Sequence, residues 1–344
     1  MATVVPLALI AAAVVAVTTA AAASTWLARN AIRIGLVDVP NSRSAHDHSM
    51  PRGGGIGIAA GVVVGFLVLD VLGTSLGEPI MAALGGAGAI ALLGSLDDIR
   101  SIPARYRLMI QGSVAAAVVY ELGGIAKVPL PPPLDLPLGW LGAPLAVLWL
   151  MTVTNFFNFM DGLDGLAGGQ AVVTCAGVAL AAWAFGATEI AVIVAAATCG
   201  FLVLNIPPAR LFLGDVGSTA LGFSMGVMPL LAPPPERHRA VLMVVIALAL
   251  FLLDPIGTLV RRIRGGHRPG VAHRSHFYQR IARGVGSHAP VTSSLLLCGA
   301  VLSVSSGLSY RGHGPTWLLV AFGVAAFGAE WLVANRLRDA HEHD

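Results

Sequence analysis

The chain has 344 residues, of which 56% are hydrophobic and only 11% charged. A soluble domain carries about 25% charged residues, so this composition excludes a soluble globular protein and describes a polytopic membrane protein. The formal charge is only +3, which gives no ground to expect a nucleic-acid partner.

Met1 to Leu27 carry no charge. Although the Ala-rich end imitates a signal-peptidase site, the run lacks a basic start and is too long for the apolar core of a signal peptide. An uncleaved first span is expected. Further apolar runs lie near 55–73, 79–96, 107–122, 139–157, 168–186, 188–205, 217–232, 239–260, 289–309 and 315–335. With the first, they predict an all-α, single-domain protein over 1–344 with about eleven transmembrane helices. No internal repeat is evident, unlike an inverted-repeat transporter. Cys175, Cys199 and Cys298 fall in apolar stretches without metal-ligand spacing and read as core thiols.

Orientation follows from the basic residues, of which only Lys127 is lysine. With the N-terminus outside, seventeen of the 21 fall on inner loops or the C-terminal tail. Lys127, Arg237, Arg239 and Arg311 remain outside. This asymmetry places the C-terminus in the cytoplasm. The Pro-rich segment Val128 to Pro137 is expected to be an extended external connector.

The polar residues then gather on inner loops near 28–54, 97–107, 157–168, 206–217 and 261–288. The first loop holds Arg43, His46, His48, Arg52 and Gly53-Gly54-Gly55. Glycines before a helix expose backbone N–H groups to an anion, and arginines add phosphate donors; a flexible positive-inside loop is the plainer alternative. Asp97 and Asp98 end the third span, where acids oppose the helix dipole and call for compensation, most economically by a cation. The third constellation is Asn155-Phe-Phe-Asn158-Phe-Met-Asp161-Gly-Leu-Asp164, four polar groups where a membrane protein holds none without a reason. The fourth runs from Asn205 through Phe212 to Gly214-Asp215-Val-Gly217-Ser218. Asp215 could cap the next helix; the glycines beside it equally allow close approach of a ligand. In the fifth, Asp254 precedes Arg261, Arg262, Arg264, His273, Arg274 and His276. Asp254 could merely pair with Arg261 or Arg262. Two histidines three apart with no further close ligand fit phosphate recognition better than zinc.

Together, in this order and facing one side, these constellations resemble the polyprenyl-phosphate N-acetylhexosamine-1-phosphate transferase superfamily, which includes the phospho-MurNAc-pentapeptide translocase. The resemblance runs from Arg43 to Arg280. Its most specific stretches are Asp161-Gly-Leu-Asp164-Gly-Leu-Ala and Phe212-Leu-Gly-Asp215-Val-Gly-Ser. Ala272-His273-Arg274-Ser275-His276-Phe-Tyr278-Gln279 looks most like the O-antigen-initiating branch. Two departures stand out: Arg274 and Ser275 replace part of a tighter histidine cluster, and Ser49 replaces a common proline.

The resemblance implies transfer of a sugar 1-phosphate from a UDP-sugar to undecaprenyl phosphate at the inner face of a bacterial plasma membrane. The products are undecaprenyl-diphospho-sugar and UMP. It implies Mg²⁺, or Mn²⁺ in its place, with Asp215 and Asn155 as metal ligands. Asp97 is implied to activate the acceptor phosphate, and Asp98 to lie near the metal or diphosphate. Asn158, Asp161 and Asp164 are implied to contact the nucleotide sugar, with Asp164 and Phe212 near uracil. His273, Arg274 and His276 would meet the diphosphate, with Arg43 and Arg52 as further phosphate donors. The sugar, and whether the chain works as a homodimer, stay open. An anionic-solute transporter is the competing function, but its acids belong near the bilayer midplane. A noncatalytic scaffold should tolerate loss of Asp215.

Overall fold

A computed structural model describes residues 4–38, 49–182, 187–267 and 275–341. Thirteen α-helices make up most of these residues. They are α1 (Val4–Ile34), α2 (Gly54–Val71), α3 (Glu78–Arg100), α4 (Ala104–Leu122), α5 (Gly142–Phe159), α6 (Leu166–Ala182) and α7 (Thr188–Asn205). Then follow α8 (Gly214–Val227), α9 (Arg237–Ala247), α10 (Ala249–Arg264), α11 (Phe277–Val285), α12 (His288–Tyr310) and α13 (Thr316–His341). Among the described residues the one sheet is a two-residue antiparallel pair, β1 (Val37–Asp38) with β2 (Met50–Pro51), at the foot of α1 and α2.

Helices follow from uninterrupted apolar runs, since only intrasegment hydrogen bonds satisfy a backbone in lipid. Their close packing follows from small residues at four-residue spacing. Ala8, Ala12, Ala16 and Ala20 bury one stripe of α1. Gly57, Gly61 and Gly65 of α2 lie against that stripe and Ser24, with no room for a side chain. The buried centre is α8, which packs on α2, α3, α5, α6 and α9. Phe157 of α5 meets Phe251 of α10 with ring centroids 5.0 Å apart.

Seven of the described helices are long and apolar enough to cross a membrane: α1, α2, α3, α5, α7, α12 and α13. An eighth span results if α9 and α10, bent by 72°, count as one. Helices α6 and α8 have only 17 and 14 residues.

Four expectations need correction. The continuous run at 239–260 is broken at Leu248, between α9 and α10. There Gln170 Nε2 donates to the Ala247 carbonyl at 3.0 Å, so a side chain takes over a carbonyl released by the bend. The segment 277–285, assigned no helix from its composition, forms α11. The Pro-rich connector is not extended: it doubles back, closed by Val128 N to Leu136 O at 2.8 Å and a Lys127–Asp135 ion pair at 2.8 Å. Of the three thiols, only Cys175 is buried; Cys199 is exposed and Cys298 half-buried.

The bundle has two distinct ends. At one, Arg237 donates to Gly124 O, Arg239 to Tyr310 O, Arg311 to Leu180 O and Trp317 to Pro132 O. Three of the four basic residues assigned to the outer side, Arg237, Arg239 and Arg311, thus lie at this end. The other end gathers the start of α2, the end of α3, the start of α4, the end of α5 and the start of α8.

Candidate functional site

Gly53 stands before α2 at φ 97°, a left-handed conformation suited to glycine. It turns the chain so that Gly54 N and Gly55 N donate to Phe212 O and Leu213 O, each at 2.9 Å. Phe212 N in turn donates to Pro51 O at 2.8 Å. Two of the three glycine amides expected to cradle an anion, those of Gly54 and Gly55, are therefore committed to the loop before α8. Gly55 and Gly217 lie backbone to backbone, so α2 and α8 start side by side.

Asp98 closes the third side. Its Oδ1 accepts from Asp215 N at 2.9 Å and its Oδ2 from Val216 N at 3.1 Å. This carboxylate satisfies the orphan amides at the start of α8 and sets its own charge against the positive end of that helix dipole. Arg52 also pairs with Asp98, and Arg107 with Asp97. The two acids at the end of α3 are thus compensated by arginines and helix amides, where a cation had been expected to do so.

Asp215 lies in the first turn of α8, one position inside the helix, and is not its cap. Its Oδ1 accepts from Asn158 Nδ2 at 3.0 Å, and that amide also donates to Ser218 Oγ at 2.8 Å. Arg52 lies 3.7 Å from Asp215 Oδ1 and Arg107 3.6 Å from Oδ2. The Asp97 and Asp215 carboxylates are themselves within hydrogen-bond reach. Five segments thus bring Arg52, Asp97, Asp98, Arg107, Asn158 and Asp215 together. Neither Arg107 nor Ser218 had been given a role; Ser218 sits one residue past the Gly-Asp-Val-Gly stretch, and Arg107 follows Asp97 by ten positions.

Asn155 lies one turn earlier on α5. Its Nδ2 donates to Gln111 Oε1 at 2.8 Å and Met151 O at 2.7 Å. Asp161 follows α5 in the loop at 160–165. Burial first, then the negative charge of Asp215, pushes its carboxyl up to about 7. Asp164 Oδ2 accepts from Ala209 N at 3.1 Å, and His288 Nδ1 lies 3.4 Å from its Oδ1. Asn205 adds a second tie between the same loops, accepting from Gly165 N and donating to Leu211 O, each at 3.0 Å. Phe212 is half-buried beside them. Asp254, for which pairing with Arg261 or Arg262 was one of two open readings, binds His276 and the start of α11. Arg43, His273 and Arg274 lie outside the described residues.

Among the described residues, no three carboxylate, imidazole or thiol groups form a closed metal cage. The arrangement fits Mg²⁺ in another way. Asp97 and Asp215 present adjacent carboxylates that share Arg107 as a counter-charge. Mg²⁺ takes one or two protein carboxylates and completes its shell with water and substrate phosphate oxygens. Two arginines directed at the same carboxylates can bind those phosphates instead.

The family model "Glycosyl transferase family 4" matches residues 80–232, which span α3 to α8 and all but Arg52 of this cluster. The chain is 34% identical over 284 residues to a probable undecaprenyl-phosphate N-acetylglucosaminyl 1-phosphate transferase of Bacillus subtilis, covering 81% of this chain and 78% of that protein. It is 29% identical over 318 residues to the undecaprenyl-phosphate alpha-N-acetylglucosaminyl 1-phosphate transferase of Salmonella typhi, covering 88% and 84%. The Escherichia coli K12 protein of the same name is 29% identical over 314 residues, covering 86% and 82%. With likeness extending over most of both partners, the chain belongs to glycosyl transferase family 4, within the polyprenyl-phosphate N-acetylhexosamine-1-phosphate transferase superfamily.

Proposed function

We propose that the protein transfers a sugar 1-phosphate from a UDP-sugar to undecaprenyl phosphate, releasing UMP. The observation that carries this reading is the meeting of Arg52, Asp97, Asp98, Arg107, Asn158 and Asp215 at one end of the bundle. A nonbridging oxygen of the acceptor phosphate attacks the phosphorus carrying the sugar. The bond from that phosphorus to the oxygen bridging to UMP breaks, and UMP leaves with the electron pair.

Asp215, with the oxygen of Asn155 as a second donor, would hold Mg²⁺ or Mn²⁺. Bound there, the cation neutralises the diphosphate. The chain's own residues align the two substrates. Arg52 and Arg107 exchange their carboxylate partners for phosphate oxygens. Asp98 holds the start of α8 in register with α3. Asp97 Oδ1 is held by Ile102 N at 2.6 Å and its Oδ2 by Arg107. A residue so constrained favours orientation of the acceptor over a role as covalent nucleophile. The acceptor is mostly dianionic at pH 7 and has little need of a base. Asn158, Asp161, Asp164 and Phe212 would line the nucleotide-sugar side, with His273, Arg274, His276 and Arg43 on the diphosphate. N-acetylglucosamine, the sugar in the relatives' names, is the first donor to test.

We also place the site in the cytoplasm of a bacterial inner membrane. Eleven spans result if α4, α6, α8 and the bent α9–α10 pair cross with the seven longer helices. Alternation then puts every helix end that meets at the site on one face, together with seventeen basic residues. A cysteine-free variant carrying one new cysteine checks this. R311C is expected to react with a membrane-impermeant maleimide in intact cells, and R105C only after permeabilisation. The reverse pattern overturns the orientation.

The decisive assay offers purified protein a panel of UDP-sugars with undecaprenyl phosphate and Mg²⁺, and identifies the lipid product by mass. At least one N-acetylhexosamine donor is expected to give undecaprenyl-diphospho-sugar with equimolar UMP. No product from a folded preparation overturns the reading. UMP formed in a burst without acceptor would instead point to a covalent aspartyl route.

A further inference from the structure

Two buried carboxylates lie outside the cluster described above. Asp254 on α10 is 0% exposed, and Glu330 on α13 is 7% exposed. Asp254 Oδ1 accepts from Thr258 Oγ1 at 3.0 Å and meets His276 Nδ1 at 2.8 Å; Oδ2 accepts from Tyr278 N at 3.0 Å. With both oxygens of Asp254 accepting, His276 Nδ1 donates to Oδ1, and this contact fixes the ring in one orientation.

Glu330 meets Asp254 across the α10–α13 contact. No donor from the described residues reaches either Glu330 oxygen. A second negative charge there would be uncompensated in an apolar interior. A proton on Glu330 removes that charge and supplies an O–H for Asp254.

The network reaches the site through the start of α11. Tyr278 OH donates to Phe159 O at 2.9 Å, and the rings of Phe159 and His276 lie 6.3 Å apart. A Cβ at Gly162 would come within 2.7 Å of Gln279 Nε2, so α11 abuts the loop carrying Asp161. Ring orientation at His276 and the seating of that loop therefore share one anchor.

We propose that Asp254 is a positioning residue acting through His276, and that Glu330 is the neutral acid that keeps the pair singly charged. The proposal rests on the reading of His276 as a ligand of the donor diphosphate.

The test compares UMP release by purified full-length D254N, H276A and D254N/H276A, with melting temperatures in detergent alongside. D254N is expected to lower kcat about 30-fold, within the range for partners that orient a functional histidine. The double variant is expected to match H276A alone, since a residue acting through another adds nothing once that other is gone. T258V keeps the charge and removes one donor; it is expected to cost about threefold, and only while His276 is present. E330Q is expected to keep kcat within about threefold, because a carboxamide is neutral and donates to Asp254 as the acid does. Losses that multiply in the double variant overturn the proposal, as does full activity of H276A. An E330Q loss as large as that of D254N overturns the neutral-acid assignment. Absence of UMP release by the unmodified folded protein is a separate outcome, which sinks the transferase reading and this inference with it.

Discussion

Asp215→Asn is expected to reduce UMP release by about 10³-fold or more while leaving the protein folded. The substitution keeps size and shape, and an amide oxygen can still accept from Asn158 Nδ2, now 3.0 Å from Asp215 Oδ1. What it removes is charge at the point where Asp97, Arg52 and Arg107 converge. Losing one preorganised electrostatic group in a water-poor site costs about 10² to 10³ in turnover, and losing a metal ligand adds to that. Stability should move the other way. Asp215 adjoins Asp97, and Asp98 touches its backbone, so a neutral side chain relieves repulsion among like charges. The melting temperature without added cation should hold or rise, as for groups that serve activity at the expense of stability. Turnover within tenfold of the unmodified protein would remove Asp215 from the chemistry.

Gly94→Ala is the second large effect, and it acts through the backbone. Gly94 lies one turn before Asp97 and Asp98, where α3 crosses the start of α8. A Cβ there would stand 2.5 Å from Asp215 O and 2.7 Å from Asp215 C. Neither atom belongs to a flexible side chain, so one helix must move. The two amides that α8 donates to Asp98 restrain such a shift, and overpacking of this kind costs about 3 kcal/mol. Displacing reacting groups by about 1 Å costs on the order of 10²-fold in rate. Turnover per folded molecule should therefore fall about 100-fold, with a lower melting temperature. Ala at Gly88, where a Cβ meets nothing within 4 Å, serves as the control and should be silent. Equal turnover in the two variants would contradict the close α3–α8 register.

Much of this site could be read from residue order alone. Apolar runs placed the helices to within a few residues, because lipid leaves a backbone few alternatives. Charged and amide side chains at span ends drew the eye to Asp97, Asp98, Asn158, Asp161 and Asp215, which do lie together. What local pattern could not reveal were pairings distant in sequence. Asp98 and the Asp215 amide are 117 positions apart, so compensation of the α3 acids looked like work for a cation. The Gly54 and Gly55 amides looked available because their partners, the carbonyls of Phe212 and Leu213, belong to another loop. At the break at Leu248 the Ala247 carbonyl is taken up by Gln170, 77 residues earlier. Asp254 sits close to arginines along the chain, but its helix turns it toward His276, 22 residues on.

The measurement that bears most directly on the site is turnover after removal and return of the divalent ion. Purified protein is treated with EDTA, then given UDP-sugar, undecaprenyl phosphate and increasing Mg²⁺ or Mn²⁺. UMP release should vanish with the chelator and return with either metal, and Asp215→Asn should fail to recover at any concentration. Undiminished UMP release in EDTA would contradict a carboxylate cluster that works by holding a cation against converging phosphates.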